Sequence, residues 1–129
     1  MKDLGERGFE FAVAALSLTK KISISQEHRF LLNQFLRAAC SIGANITEGR
    51  ASSSRKEMAR YYQISLKSAR ESVYWLKLIK VVCVQKPPGL DDLLTEVSEI
   101  IRILSKSVLS LKVDLAKEEE TLYLTLINE

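Results

Sequence analysis

Few residues of this sequence have the types and spacing that chemistry requires. The 129 residues include one histidine, His28, and two cysteines, Cys40 and Cys83. A zinc site needs several His or Cys ligands, and a di-iron bundle needs Glu-x-x-His pairs, so we predict neither metal nor cofactor. Glu48 and Glu71 could serve as paired carboxylates for acid–base catalysis, but no nucleophile or second titrating group accompanies them. The sequence therefore predicts a protein that is not an enzyme and has no small-molecule substrate.

The same carboxylates also fit a structural role. Polar residues follow one line of the second predicted helix, beside its apolar residues, and Glu71 borders the apolar face of the third. Such side chains form hydrogen bonds and ion pairs that set the register between packed helices. We predict a structural polar network whose members are Arg37, Asn45, Glu48 and Glu71.

Charge is distributed unevenly along the chain, whose formal net charge is +3. Residues 37–86 carry ten bases and three acids, whereas residues 90–129 carry four bases and nine acids. On the third predicted helix, seven bases fall within one arc at 100° per residue. They are Arg55, Lys56, Arg60, Lys67, Arg70, Lys77 and Lys80. This arc is either a solvated surface or a nucleic-acid-binding face that contacts phosphates.

Apolar residues interrupt the basic arc. Leu66, Val73 and Tyr74 fall within it, although the predicted core lies on the other side of the helix. Apolar side chains on a second face of a bundle helix indicate burial against another subunit. We therefore predict an oligomer interface at these three residues.

Hydrophobic periodicity predicts an all-α chain, and two helices come first. Asp3 and Glu6 have capping-box spacing, and the first helix ends near Lys20 and Lys21. Its predicted core stripe is Phe9, Ala12, Val13 and Leu16. The second helix spans about residues 26–49, with Ser23 or Ser25 as its cap and Gly49 as its stop. Its stripe is Leu31, Phe35, Ala38, Ile42 and Ile46. Both cysteines are predicted to be small buried side chains.

Two longer helices follow. Ser54 and Glu57 form the clearest capping box and open a helix of about thirty residues, which Pro87 and Pro88 must end. Its predicted core face is Met58, Tyr61, Ile64, Ser65, Ser68, Ser72, Trp75, Leu76, Ile79 and Val82. Asp91 or Asp92 is the predicted cap of the fourth helix. Its stripe is Leu93, Val97, Ile100, Ile101, Leu104, Val108 and Leu111.

These four amphipathic helices predict an antiparallel up-down-up-down four-helix bundle over residues 1–112. Residues 113–129 form a C-terminal extension in which Lys117 to Glu120 break the apolar stripe and an apolar run follows. This extension is either a last helical turn or an arm that packs on a neighbouring molecule. No segment is long and apolar enough to span a membrane, and the acidic N-terminus is unlike a signal peptide, so we expect a cytoplasmic protein.

The segment from Leu36 to Arg50, LRAACSIGANITEGR, resembles the signature of a bacterial family encoded within intervening sequences of 23S ribosomal RNA genes. The resemblance continues through Ser54, Glu57, the run Tyr61 to Ser68, and Glu71, and it spans about residues 4–112. It implies an antiparallel bundle that assembles into ring-shaped homopentamers, without enzymatic activity or cofactor. Its relatives include the accessory variability proteins of diversity-generating retroelements, which are thought to contact nucleic acid and a reverse transcriptase.

Two functional hypotheses remain open. The first is a homo-oligomer that binds RNA, such as ribosomal RNA, through the seven bases. The second is a protein–protein adaptor that presents a ring-shaped surface to an enzyme such as a reverse transcriptase. The basic arc favours the first hypothesis. The apolar residues within that arc and in the extension favour the second.

Overall fold

The computed structural model describes residues 2–129 and consists of four α-helices without a strand in that range. They are α1 (Leu4–Lys21), α2 (Phe30–Ala51), α3 (Arg55–Val82) and α4 (Leu90–Ile127), with a short 3-10 helix, Gln26–His28, before α2. Each helix packs on its two neighbours around the ring α1–α2–α3–α4–α1. The predicted four-helix bundle is therefore confirmed. Met1, the first residue of the predicted bundle domain, lies outside the described residues.

Side-chain caps begin two of the helices as predicted. The Asp3 carboxylate accepts hydrogen bonds from the backbone N–H groups of Gly5 and Glu6, and Ser54 Oγ accepts from the N–H of Glu57 at 3.1 Å. These bonds satisfy N–H groups that have no partner within the helix. The predicted caps of α2 and α4 are wrong. Arg29 precedes α2 without a side-chain cap, and Gly89, in the left-handed conformation at φ 90°, precedes α4.

The core confirms the stripes of α2 and α4 but not that of α1. Phe9, Val13 and Leu16 are 70%, 51% and 47% exposed, whereas the side of α1 that carries Phe11 and Ala15 is buried. The helix has two apolar stripes on roughly opposite faces, and periodicity alone does not choose between them. The buried residues of α1 are Leu4, Gly8, Phe11, Ala15 and Leu18.

Helix α3 is also rotated about its axis relative to the prediction. Ser65, Ser72, Leu76 and Ile79 are buried as predicted, while Ile64 is 38% exposed. The residues that take the other side of the buried face are Ala59, Tyr62, Leu66 and Ala69. The prediction of an oligomer interface is therefore wrong for Leu66, which is 8% exposed and packs in the chain's own core. The prediction that both cysteines are buried is wrong for Cys40, which is exposed, and Cys83 is half-buried.

Two glycines allow α1 and α2 to approach each other in backbone contact. A Cβ atom added at Gly8 would lie 2.9 Å from Gly43 Cα, and one added at Gly43 would lie 3.1 Å from the carbonyl carbon of Gly8. Only a residue without a side chain fits such a crossing. Gly49 does not stop α2, which continues to Ala51. Instead, its missing side chain makes room for the ring of Tyr62, which a Cβ would approach to 2.8 Å.

The C-terminal extension is a direct continuation of α4. The helix runs without interruption to Ile127, so the extension is longer than a single turn. That it packs on a neighbouring molecule stays a prediction. Every residue from Ala116 to Glu129 is exposed. None of the described helices is long and apolar enough to cross a membrane.

The glycine crossing predicts unequal effects of the same substitution at two sites on α1. Alanine is favoured over glycine in helices by about 1 kcal/mol, and overpacking costs about 1–3 kcal/mol. We expect Gly8→Ala to lower the free energy of unfolding by up to about 2 kcal/mol, the overpacking cost less the helix gain, because its methyl group meets the Gly43 backbone. In the comparison variant Gly5→Ala, the methyl group meets only side-chain atoms, Arg50 Nη1 at 2.5 Å and Asp3 Oδ1 at 3.1 Å, which move more easily than a backbone, so any loss of stability should be smaller. Urea denaturation monitored by circular dichroism measures the free energy of unfolding of both variants. Equal stabilities of the two variants would contradict the close backbone contact between α1 and α2.

Candidate nucleic-acid interface

All seven predicted bases of α3 are exposed, but they are not equivalent. Arg55 pairs with Glu118 at 2.5 Å and Lys80 with Asp91 at 3.2 Å, so acids of α4 partly neutralise both ends of the series. The other five make no ion pair within residues 2–129; we call them the basic face of α3. The basic face consists of Lys56, Arg60, Lys67, Arg70 and Lys77. Its ends, Lys56 and Lys77, are roughly 32 Å apart at 1.5 Å per residue.

The ion pairs at the two ends of α3 also set its register against α4. Antiparallel packing in that register brings Lys112 of α4 to the level of Arg60, where both line a groove of about 470 Å³ with Lys56. Three bases and one acid, Glu57, line this groove, so Lys112 extends the positive charge of the basic face onto a second helix. The sequence analysis missed this residue because its position depends on the pairing of α3 with α4. The predicted charge pattern within α3 contains no signal for it.

The apolar residues predicted within the basic arc separate into three environments. Leu66 is buried, Val73 is half-buried against the core, and Tyr74 is 58% exposed with its ring edge-on to Trp75. Val81, one helical heptad beyond Tyr74, is 80% exposed. Tyr74 and Val81 therefore place apolar surface among the lysine and arginine side chains.

The structure assembles most of the predicted polar network between α2 and α3. Arg37 forms an ion pair with Glu71, and Glu71 also accepts a hydrogen bond from the indole N–H of Trp75 at 3.1 Å. Asn45 donates to the backbone oxygen and the hydroxyl of Ser41, at 2.8 and 2.9 Å. The hydroxyl of Ser68 on α3 donates to the same Ser41 hydroxyl, and that of Ser65 donates to the Ile42 carbonyl at 2.8 Å. These contacts fix the register of α3 on α2.

Glu48 is the predicted network member that stays outside these contacts. Its side chain is exposed and has no hydrogen bond or ion pair to any residue in the range 2–129. It lies eleven positions beyond Arg37, the ion-pair partner of Glu71, which is roughly 16 Å along the axis of α2. The fold therefore does not bring Glu48 and Glu71 together as a carboxylate pair. His28 contacts the Ser25 hydroxyl at 3.0 Å, and no three of the described His, Cys, Asp and Glu side chains cluster as a metal site.

Charge also ties the start of α1 to the end of α2. Arg50 contacts Asp3 at 3.1 Å. The backbone N–H of Glu6 and then the Arg50 guanidinium lower the pKa of the Asp3 carboxyl. Burial raises the pKa of the Cys83 thiol, which disfavours its thiolate form.

A second exposed surface lies on α1, where the sequence predicted core. Phe9, Val13 and Leu16 form an apolar stripe on the outside of the bundle. Beside it, Phe9 and Ala12 line a groove of about 210 Å³ with Cys40 and Ala44 of α2. The sequence signal for this surface was that α1 carries two apolar stripes, only one of which faces the core of the bundle.

Comparison with known proteins agrees with this helical arrangement. The model of the 23S rRNA-intervening sequence protein family matches residues 3–106. The chain belongs to this family. A solved structure of an S23 ribosomal protein family member of unknown function, from Bacteroides thetaiotaomicron VPI-5482, is 29% identical and superposes with a TM-score of 0.74. The match covers 82% of this chain and 98% of that one. No curated protein matches the sequence.

Membership of the 23S rRNA-intervening sequence protein family accounts for the bundle but not for the end of α4. The family match ends at residue 106, whereas α4 continues to Ile127. The extension therefore lies beyond the region that this chain shares with the family model. Within residues 2–129, neither the geometry nor the comparisons point to catalysis.

The contact between Asp3 and Arg50 predicts a pH-dependent contribution to stability. Because the pKa of folded Asp3 lies below its ordinary value of 3.8, the ionised carboxylate stabilises the fold above that value. This contribution is lost as the pH falls from 3.8 through the lower folded pKa. The variant Asp3→Asn retains a capping side chain but loses the charge. In thermal denaturation, the wild type should exceed Asp3→Asn in stability at neutral pH, and the difference should shrink in acid; a constant difference would contradict the assignment.

Proposed function

We propose that this chain is a non-enzymatic, homo-oligomeric RNA-binding module whose basic face contacts phosphates. The observation that carries the proposal is the basic face itself, in which five exposed bases share one arc of α3 and form no ion pair with any residue from Lys2 to Glu129. Phosphate contacts supply most sequence-independent affinity for nucleic acid. The seven-base site of the sequence analysis is accordingly narrowed to five, because acids of α4 engage Arg55 and Lys80.

The chemistry of the basic face favours recognition of shape and charge over base sequence. Tyr74 is the exposed aromatic side chain that lies within the face, so stacking on bases is limited. Lys112 adds a cation beside Lys56 and Arg60, which favours a backbone that follows the groove between α3 and α4. Ribosomal RNA is the first ligand to test, since the family is described by 23S rRNA intervening sequences.

Oligomerisation would multiply these contacts. The resemblance noted in the sequence implies a ring of five subunits, and several basic faces on one particle would bind a long RNA with higher avidity than a single face. The exposed apolar side chains Phe9, Val13 and Tyr74 supply surface for subunit contacts. This assembly remains part of the proposal.

The proposal predicts the salt dependence of RNA binding. The triple variant Lys67→Ala/Arg70→Ala/Lys77→Ala should bind a ribosomal RNA fragment roughly tenfold more weakly or worse at physiological salt. The slope of log affinity against log salt should fall by about two to three, since each phosphate contact contributes about 0.7–0.9. Fluorescence anisotropy across a salt series measures both quantities.

The matched control removes the same charge elsewhere. Lys20, Lys21 and Arg29 are exposed, lie outside α3, and form no ion pair within the described chain, so Lys20→Ala/Lys21→Ala/Arg29→Ala should retain the wild-type slope. Equal slopes for both triple variants would overturn the assignment of the basic face. No RNA binding by the wild type even at low salt would end the RNA-binding proposal.

The apolar surface of α1 favours a second candidate function, a protein–protein adaptor. A stripe that exposes Phe9, Val13 and Leu16 is typical of a protein contact. For an adaptor, a cognate partner enzyme such as a reverse transcriptase should bind the wild type after nuclease treatment, but not Phe9→Ser/Val13→Ser. Loss of binding on nuclease treatment would instead assign the contact to bridging RNA.

A further inference from the structure

From Ala116 onward the C-terminal extension is exposed, and apart from the contact of Glu118 with Arg55 its acidic and apolar surface is not covered by the described part of its own bundle. Residues 113–129 carry five acids and one base. Large apolar side chains lie among them, and Leu122, Tyr123 and Ile127 are each about 60% exposed. A helix with this much exposed apolar area needs a partner to remove it from water.

The partner surface cannot belong to the same chain. Glu118 already contacts Arg55, the first residue of α3, so the helix beyond Glu118 projects past the end of its neighbour. The nine residues from Glu119 to Ile127 extend roughly 14 Å further at 1.5 Å per residue. Because α4 continues without a break, these residues cannot fold back onto the basic face of their own α3. Any contact between the two surfaces must join different molecules.

The basic face of α3 has the complementary chemistry. It carries five bases that form no ion pair within the described part of the chain, while the extension carries an excess of four acids. Tyr74 and Val81 lie among those bases, just as Leu122 and Tyr123 follow Glu119 and Glu120. The ion pair between Arg55 and Glu118 shows, within one molecule, the carboxylate–base contact that the two surfaces would repeat.

The same charges disfavour the alternative in which two copies pair α3 against α3. Such a contact around Tyr74 would bring two sets of five cations together, and like charges at an interface oppose association. Pairing the extension of one copy with the basic face of another removes this repulsion and covers apolar area on both surfaces.

We propose that the acidic C-terminal extension of one copy docks on the basic face of α3 of a second copy. This docking is a separate contact from the subunit contacts of the proposed ring. The extension then competes with RNA for Lys67, Arg70 and Lys77, so that docking lowers RNA binding. The docking itself is independent of RNA; only the competition rests on the proposed RNA-binding function.

The test uses two full-length charge-reversal variants. The face variant, Lys67→Glu/Arg70→Glu, keeps an intact extension, and the extension variant, Glu119→Lys/Glu120→Lys, keeps an intact basic face. All four positions are exposed and outside the ion pairs of residues 2–129, so circular dichroism should show both variants folded. Sedimentation velocity at low and high salt measures association of each variant alone and of the two mixed.

Docking predicts that each variant alone associates at least tenfold more weakly than the wild type. An equimolar mixture should regain association, since the intact extension of the face variant meets the intact face of the other. High salt should weaken the recovered association, as expected for exposed charge pairs. Undiminished association of either variant alone, or no recovery on mixing, would overturn the docking.

A matched control and an RNA titration separate this proposal from the previous one. Lys20→Glu/Lys21→Glu reverses two exposed charges on α1 and should associate like the wild type. As the total concentration of wild-type protein rises, docking should weaken RNA binding per subunit. In the neutral variant Glu119→Gln/Glu120→Gln, which lacks the two docking charges, RNA binding per subunit should not weaken in this way. If association recovers on mixing but the protein binds no RNA, the docking is retained and the RNA-binding function is rejected. If the protein binds RNA but association does not recover on mixing, the RNA-binding function is retained and the docking is rejected.

Discussion

Helix α2 determines how its neighbours are rotated, and it does so through two positions that lack a side chain. At Gly43 the backbone of α1 approaches so closely that Gly8 must face it, and at Gly49 the ring of Tyr62 occupies the space that a Cβ would take. The first contact turns Phe11 and Ala15 inward and leaves Phe9 outside. The second places Tyr62, rather than Tyr61, in the core. Close packing makes such rotations discrete, because a half-turned helix would leave voids or clashes.

The rotation of α3 has electrical consequences. With Leu66 and Tyr62 buried, the opposite side of the helix presents Lys67, Arg70 and Lys77 to solvent. Polar contacts with α2, such as the hydrogen bond from Ser65 to the Ile42 carbonyl, hold this orientation from one flank. Acids of α4 hold it from the other flank through ion pairs at both ends of α3. Neutralisation at the ends leaves the charge concentrated along the middle of the helix.

The same chain thus carries a positive surface on α3 and a negative one on the extension of α4. Their separation within one molecule follows from the continuity of α4, which carries its acidic end past Arg55 and away from the basic face. Partners for the two surfaces must come from outside the molecule. RNA and the acidic extension of a second copy would both bind the positive surface, because both are negatively charged. Only a cationic partner would bind the negative surface. This asymmetry makes competition between assembly and RNA binding a natural form of regulation.

The sequence by itself determined the elements of this protein. Asp3 and Ser54 cap their helices as their spacing predicts, Pro87 and Pro88 lie in the break after α3, and the period of α2 and α4 identifies their buried residues. These features are local, because capping, proline geometry and periodicity act within a few residues. The family resemblance read from residues 36–71 was likewise confirmed.

Tertiary structure alone decided which faces of α1 and α3 point inward. Both helices carry apolar residues on more than one side, so the choice depended on contacts with Gly43 and Gly49 of another helix. Glu48 was expected in the polar network and is exposed, while Lys112 was overlooked and lines the groove with Arg60. Periodicity places a residue on a helix face, but which face meets a neighbour depends on the shape and register of that neighbour.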